Sequence, residues 1–476
     1  MHTHHCLIGG RWVPAQDGRG IDMLCPSDGQ AFARIAAGGS AEIDAAIAAA
    51  HAARDGAWGR LSATERGRLL SALGTLVARN AETLAATEAR DTGKPLTQAR
   101  ADITAAARYF EFYGGAADKI HGDTLPFLPG YAVMTLHEPF GVTGHIIPWN
   151  YPSQMVGRTV AAALAMGNAV VLKPAEEACL APLAIAALAQ EAGFPDGALN
   201  VVTGTGAEAG AALAGHPGIG FLSFTGSPET GTLVQAAAAR NHIGCTLELG
   251  GKSPQILFED ADIDAALPVL VAAIVQNGGQ TCSAGARALI HRSIYDEVVA
   301  ALAARFETLT AASHDADADL GALISARQRD RVARYLDAAT APCLARGRIA
   351  QDAPSGGFYV APALYGPVPE TDPLAQEEVF GPVLSCLPFA DEAEAVRIAN
   401  GTPYGLVAGI WTADGARQMR MARAVRAGQV FINGYGAGGG IELPFGGTGR
   451  SGHGREKGFI ALEDFAQLKT VVLKHG

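Results

Sequence analysis

The chain has 476 residues, a formal net charge of −11, 49% hydrophobic and 17% charged residues. That length calls for two or three domains with a large buried core. The acidic balance argues against nucleic acid or a membrane as partner. Seven cysteines, an odd number with no CxxC pair, argue against a disulfide framework or a structural zinc site and suit a reducing, cytoplasmic setting.

In chain order, the N-terminus "MHTHHCLIGGRW" lacks the apolar core of a signal peptide, and His2, His4 and His5 read as a polar end and not as a metal site. The Ala-rich segments 40–54 and 62–91 carry helical periodicity, and Ser62 with Glu65 makes a capping box. The segment 123–139, "DTLPFLPGYAVMTLHEP", reads as a β-hairpin. From about Pro139, short β-rich runs ("GVTGHIIP", "AVVLKP", "LNVVTG", "IGFLSFTG") alternate with helical ones, the pattern of a parallel sheet covered on both faces. After Glu248 a second alternating region follows, through "PQILF", "ARALIH", "GPVLSCLPF", "GLVAGIW" and "GQVFING". The run 267–275, "LPVLVAAIV", is too short to span a bilayer. The tail "AQLKTVVLK" reads as a strand and, with the hairpin, as a surface for pairing between subunits.

Ligands of such sheets bind beyond the carboxyl ends of the strands. There, "AVVL" ends in Lys173 and Glu176, a cation and a carboxylate suited to ribose hydroxyls. "SFTGSPET" turns straight into a helix with Ser227 as N-cap and Pro228 at its first position, which presents free N–H groups to an anion. A salt bridge and an ordinary capped helix are the plain alternatives. Two such features on successive strand ends favour a dinucleotide, bound in a variant manner because "TGTGAEAG" has Ala209 where the third glycine of GxGxxG belongs.

In "PWNYPS" two prolines pin Asn150, whose amide is a candidate oxyanion donor. In "LELGGKSP" Glu248 ends an apolar strand, where partial desolvation lifts a carboxylate toward the range of a base. "NGGQTCSAG", 277–285, surrounds Cys282 with small residues. A lone Cys is most often a small buried residue. The glycines here let another molecule approach the sulfur.

Taken together, "IIPWNYP", "VVLKPAE", "FTGS", "LELGGKSP", "GQTCSA", "EEVFGPV" and "PFGGTGRSGHGRE", in this order along nearly the whole chain, resemble the aldehyde dehydrogenase superfamily of NAD(P)-dependent enzymes. The resemblance implies an α/β fold of two Rossmann-like parallel-sheet domains: a discontinuous NAD-binding domain (1–122 and 140–247), a catalytic domain (248–445), and oligomerisation strands (123–139 and 466–476) that form a homodimer or homotetramer. It implies Cys282 as nucleophile, Glu248 as the base that activates water and Asn150 as oxyanion donor. NAD would lie against Ile146, Pro148, Trp149, Lys173, Glu176, Gly226, Ser227, Leu249, Gly250, Glu378 and Phe380. A small aldehyde would lie against Tyr151, Met155, Arg158 and Phe445; no metal is implied. Members that favour aliphatic aldehydes carry an aromatic at the Arg158 position, and some that take succinate semialdehyde or hydroxylated aromatic aldehydes carry Arg. Succinate-semialdehyde members add a second Arg where this chain has Gln276. Arg158 therefore suits a polar or carboxylate-bearing substrate, with an ion pair to a neighbouring carboxylate as the alternative. The Gly-rich loop 435–447 suggests room for a longer substrate.

Three rivals stand beside this reading. A CoA-acylating aldehyde dehydrogenase would not need Glu248. A cysteine hydrolase would need a His base, for which His145 and His453 are candidates. A structural or binding protein on the same fold would not need the nucleophile, base and oxyanion donor together.

Overall fold

The computed structural model describes residues 3–436 and 440–475. His2, Gly476 and part of the Gly-rich loop, 437–439, lie outside the described residues. An eight-stranded sheet and a seven-stranded sheet dominate. In the first, Gly244–Glu248, Phe221–Thr225, Val142–Ile147, Ala169–Pro174 and Leu199–Val201 run parallel in that spatial order. Cys6–Ile8 and Arg11–Val13 extend one edge antiparallel. These parallel strands are buried at almost every position because both faces are covered. Ile43, Ile47 and Ala50 of the helix Ser40–Asp55 share one core with Val170 and Leu172. The segment 62–91 forms two helices, Ala63–Arg79 and Ala81–Thr92, and the first carries the expected capping box, with Ser62 N donating to Glu65 Oε2 at 2.8 Å.

The second sheet has the order Cys343–Arg346, Ala363–Tyr365, Val383–Phe389, Arg287–His291, Pro254–Leu257, Val407–Trp411, Gln429–Ile432, parallel except at the first pair. The chain passes from the first sheet to the second after Glu248. The segment beyond 445 returns: Gly452–His453 adds an antiparallel strand beside Gly244–Glu248. The two passages lie side by side, with Leu249 N donating to Ser451 O (3.1 Å) and Ser451 Oγ to Gly250 O (2.7 Å).

The strand Tyr131–Pro139 pairs antiparallel with Thr124–Leu125 on one side and with the tail strand Ala466–Lys474 on the other. Hairpin and tail thus complete one sheet within a single chain. Its surface exposes Leu125, Leu136, Leu468, Val472 and Leu473.

Candidate active site

The first sheet directs the carboxyl ends of its strands toward one cavity of about 520 Å³, and the second sheet closes it mainly with residues that lie just before its strands. Pro148, Trp149 and Asn150 follow the strand Val142–Ile147, Gly226 and Ser227 follow Phe221–Thr225, and Glu248 ends its own strand opposite Thr225. Cys282, Glu378, Phe380 and Phe445 reach the same space from beyond residue 250.

The approach to Cys282 is unusual. Asn277, Gly278 and Gly279 have φ of +52°, +61° and +73°, three consecutive left-handed residues. A Cβ on Gly279 would stand 2.1 Å from Gly381 O. At this position the glycine serves the chain's own path past the Glu378–Phe380 loop, and the expectation that it clears room for a ligand is corrected. The turn leaves Cys282 half-buried at the cavity wall. Burial pushes its thiol up to about 12; the Arg158 guanidinium pulls it down, and Glu248 and Glu378 add to the rise.

Asn150 is stitched to this loop. Its Nδ2 donates to Gln280 O at 2.9 Å, and Asn277 Nδ2 donates to Asn150 O at 2.9 Å. The amide of Asn150 has a second N–H for a developing oxyanion. Gly251 brings the other half close, since a Cβ there would meet Cys282 O at 2.5 Å. Glu248 is 1% exposed, and neither of its oxygens has a hydrogen-bond partner. Burial raises its pKa well above the usual carboxylate range, opposed chiefly by Arg158, whose Nη2 is 3.5 Å from Glu248 Oε2. Arg158 is also 2.5 Å from Glu456 Oε2 through Nε, without hydrogen-bond alignment, and lies 4.3 Å from the Phe445 ring centroid. Lys457, 5.2 Å from the same ring, has its ammonium lowered to about 7 by burial and by Arg158. The ion-pair alternative for Arg158 is therefore realised, yet Arg158 still lines the cavity with Tyr151, Met155 and Lys457. The helix that begins after Asn150 is interrupted: Pro152–Met155 is α-helical, Val156–Val160 forms a π turn, and Ala161–Ala165 resumes the α-helix. Arg158 sits in that wide turn, a feature frequent at functional sites.

At the other end of the cleft, Ser227 caps the helix Pro228–Arg240, its Oγ accepting from Thr230 N at 3.3 Å. Lys173 Nζ donates to Glu176 Oε2 at 2.7 Å, and Gly206 N donates to Glu176 Oε1 at 3.3 Å. Burial works against the Glu176 charge, but Lys173 outweighs it and holds the carboxylate below its ordinary range. Ile146 is the register partner of Lys173 on the adjacent strand. A Cβ on Gly250 would overlap Glu378 Oε2 at 2.3 Å, and Gly251 N donates to Glu378 Oε1 at 2.9 Å. Burial lifts Glu378 to about 7. Phe380, at φ +59°, meets Trp149 edge-on at 5.5 Å. Of the expected cofactor residues, Pro148, Trp149, Gly226, Ser227, Leu249, Gly250, Glu378 and Phe380 line the cavity. Ile146, Lys173 and Glu176 lie outside its wall. A capped helix N-terminus, a Lys–Glu pair at a strand end and a glycine cradle suit a dinucleotide.

Residues 12–471 match the model of the aldehyde dehydrogenase family. The chain is 41% identical over 475 residues to aldehyde dehydrogenase family 2 member B4, mitochondrial, of Arabidopsis thaliana, covering 99% of this chain and 88% of that one. The chain belongs to the aldehyde dehydrogenase family. A crystal structure of a candidate aldehyde dehydrogenase from Burkholderia cenocepacia superimposes with a TM-score of 0.99 at 62% identity, over 99% of this chain and 100% of that one. The structure of PnpE in complex with nicotinamide adenine dinucleotide matches with a TM-score of 0.96 at 40% identity, over 99% and 98%. The protein is an NAD-dependent aldehyde dehydrogenase with the α/β fold expected from its sequence.

Several walls of this dehydrogenase's cavity escaped the sequence reading. Pro268, Val269, Ala272 and Ala273 come from the helix Ile263–Val275, whose apolar run carries no local mark of a cavity wall. Gln328 and Arg331 also line the cavity: Gln328 Nε2 donates to Phe380 O (2.8 Å) and Arg331 Nη2 to Glu378 O (2.7 Å). Only the Arg-rich helix Ala326–Asp337 could have hinted at them. Neither candidate histidine reaches the cavity. His145 is fully buried, held near 3 by that burial and stacked on Phe465 at 5.3 Å. His453 pairs with Leu247 at the sheet edge. The hydrolase reading loses its base. Among the described residues no helix is long and apolar enough to cross a membrane, and no cluster of three His, Cys, Asp or Glu could hold a metal.

Proposed function

We propose that Cys282, Asn150 and Glu248 carry the oxidation, an assignment resting on their convergence in one cavity beside a dinucleotide cleft. The Cys282 thiolate adds to the aldehyde carbon, forming a thiohemiacetal oxyanion that takes hydrogen bonds from the Asn150 amide and the Cys282 backbone N–H. NAD, when bound, accepts the hydride lost from that carbon. The thioester left on Cys282 is then attacked by water. Glu248, buried and with both oxygens free of hydrogen bonds, takes the water proton and so releases the acid.

Lys173, Glu176 and Ser227 would hold the adenosine ribose and pyrophosphate, and Glu378 and Phe380 the nicotinamide end. The mixed lining of Arg158, Lys457, Tyr151 and Met155 supports a substrate whose far end is polar or carries a carboxylate. In this reading the domains divide as 1–122 with 140–247, and 248–445. The exposed apolar residues of the 123–139 and 466–476 strands join subunits into a homodimer or homotetramer, and the seven free thiols suit the cytoplasm.

The test is NADH absorbance on mixing enzyme, NAD and a panel of neutral and carboxylate-bearing aldehydes, with and without CoA. Turnover without CoA that vanishes in Cys282→Ala supports the assignment. A strict requirement for CoA, or near-normal kcat in Cys282→Ala, overturns it.

A further inference from the structure

Beneath Asn150 lies a charge cluster that no step above uses. Lys94 follows the left-handed cap Gly93 at the end of the helix Ala81–Thr92, and its side chain is fully buried. Its ammonium makes three contacts: Glu88 Oε1 at 2.8 Å, Asp102 Oδ2 at 2.5 Å and the backbone carbonyl of Asn150 at 2.9 Å. An ammonium has three donors, so this set is complete. The two carboxylates reach onward with their second oxygens. Glu88 Oε2 accepts from Ser153 N (3.2 Å), and Asp102 Oδ1 accepts from Gln154 Nε2 (2.7 Å). Lys94 Nζ also stands 4.7 Å from the Tyr151 ring centroid. Residues 150, 151, 153 and 154 are thus all held by one buried ammonium and its two counter-ions.

Burying three charges is costly, and a charge-free core of equal volume is often as stable or more so. Stability therefore does not account for the cluster; placement of what it touches does. The same carbonyl of Asn150 also accepts from Asn277 Nδ2, so its main chain is held by both the Lys94 cluster and the Cys282 loop. A side-chain donor whose backbone is held in this way keeps its amide aimed at one point, as stabilising a transient oxyanion requires.

We infer that Lys94, with Glu88 and Asp102, is a positioning device for the oxyanion donor Asn150. It acts on hydride transfer through the placement of that amide and not through cofactor binding. The inference rests on the assignment of Asn150 as oxyanion donor.

The experiment is a double-mutant cycle read by the NADH burst rate at saturating NAD and aldehyde. One arm is the triple variant Glu88→Gln/Lys94→Met/Asp102→Asn, which removes all three charges at similar volume. A second is Glu88→Gln alone, which leaves one acceptor where Lys94 and Ser153 N need two. Each is made in the native and the Asn150→Ala backgrounds. The expected result is a burst slowed on the order of tenfold in the native background, with KM for NAD within about twofold, and no further slowing in the Asn150→Ala background. Should the triple variant not fold, Glu88→Gln carries the same comparison with a smaller fall. A native burst rate in the folded variants overturns the inference, as does a fall of equal factor in both backgrounds, which is the mark of a general structural role. An Asn150→Ala enzyme with an unchanged burst overturns it through the oxyanion assignment itself.

Discussion

Replacing Arg158 with leucine removes a guanidinium that acts on both the nucleophile and the proposed base. Glu248 Oε2 lies 3.5 Å from Arg158 Nη2. At an effective dielectric of about 20, unit charges at that separation attract by about 5 kcal/mol, equivalent to roughly three and a half pH units. That is an upper bound, because Arg158 is shared with Glu456, and because Arg455 and Lys457 also favour the Glu248 charge. The remaining displacement is smaller than that bound and keeps its direction. The sign follows from the role. Burial already raises Glu248, Arg158 lowers it, and a base works only when unprotonated. Arg158→Leu therefore moves the rising limb of the deacylation rate toward alkaline pH, and at neutral pH deacylation slows about tenfold per unit. The Cys282 thiol loses the same support, so the limb for acylation moves in the same direction. The assay is stopped-flow NADH formation from pH 6 to 10 with matched neutral and carboxylate-bearing aldehydes. Burst and steady-state phases are separated, and Arg158→Lys serves as the charge-preserving control. A steady-state limb unmoved or shifted toward acid refutes the electrostatic argument. An equal fall in kcat/KM for neutral and charged aldehydes removes Arg158 from substrate recognition.

Glu248→Gln is expected to leave a burst of NADH followed by a slow steady state, provided hydride transfer stays faster than deacylation; loss of burst and steady state together would assign Glu248 to the first step. NAD is expected to outperform NADP in kcat/KM by about ten- to a hundredfold, because a 2′-phosphate about 4 Å from Glu176 would be repelled by roughly 4 kcal/mol before Lys173 and solvent offset part of it. Glu176→Gln should narrow that ratio, and equal kcat/KM for the two cofactors in the native enzyme would refute the argument. Leu468→Lys with Val472→Lys, both exposed on the tail strand, should lower the assembly state in sedimentation while retaining the burst; an unchanged mass would place the subunit interface elsewhere.

What could be read from the sequence was whatever a short stretch encodes by itself. Strand ends, the Ser62–Glu65 box, the Ser227 cap and the tail strand 466–474 all rest on neighbours a few residues apart. Arg158, Glu248 and Glu456 lie far apart along the chain, and no local pattern announces that the first stands between the other two. Lys94 is likewise silent, since its partners come from three separate elements. The glycines near Cys282 were legible as small but not as left-handed, and that difference assigns Gly279 to backbone path and not to ligand space. The π turn around Arg158 is hidden for a similar reason: "VGRTV" has nothing in its composition that forbids an ordinary helix.

Near Glu248 the polypeptide crosses between its two sheets twice, and the outgoing and returning passages are hydrogen-bonded to each other. A single crossing would behave as a hinge, about which the halves could swing like a clamshell. Two joined crossings make a strap, which resists that swing and permits little besides a slight twist along its own length. A cleft strapped in this way keeps a nearly constant width, so its two walls present the same spacing to oxidised and reduced dinucleotide alike.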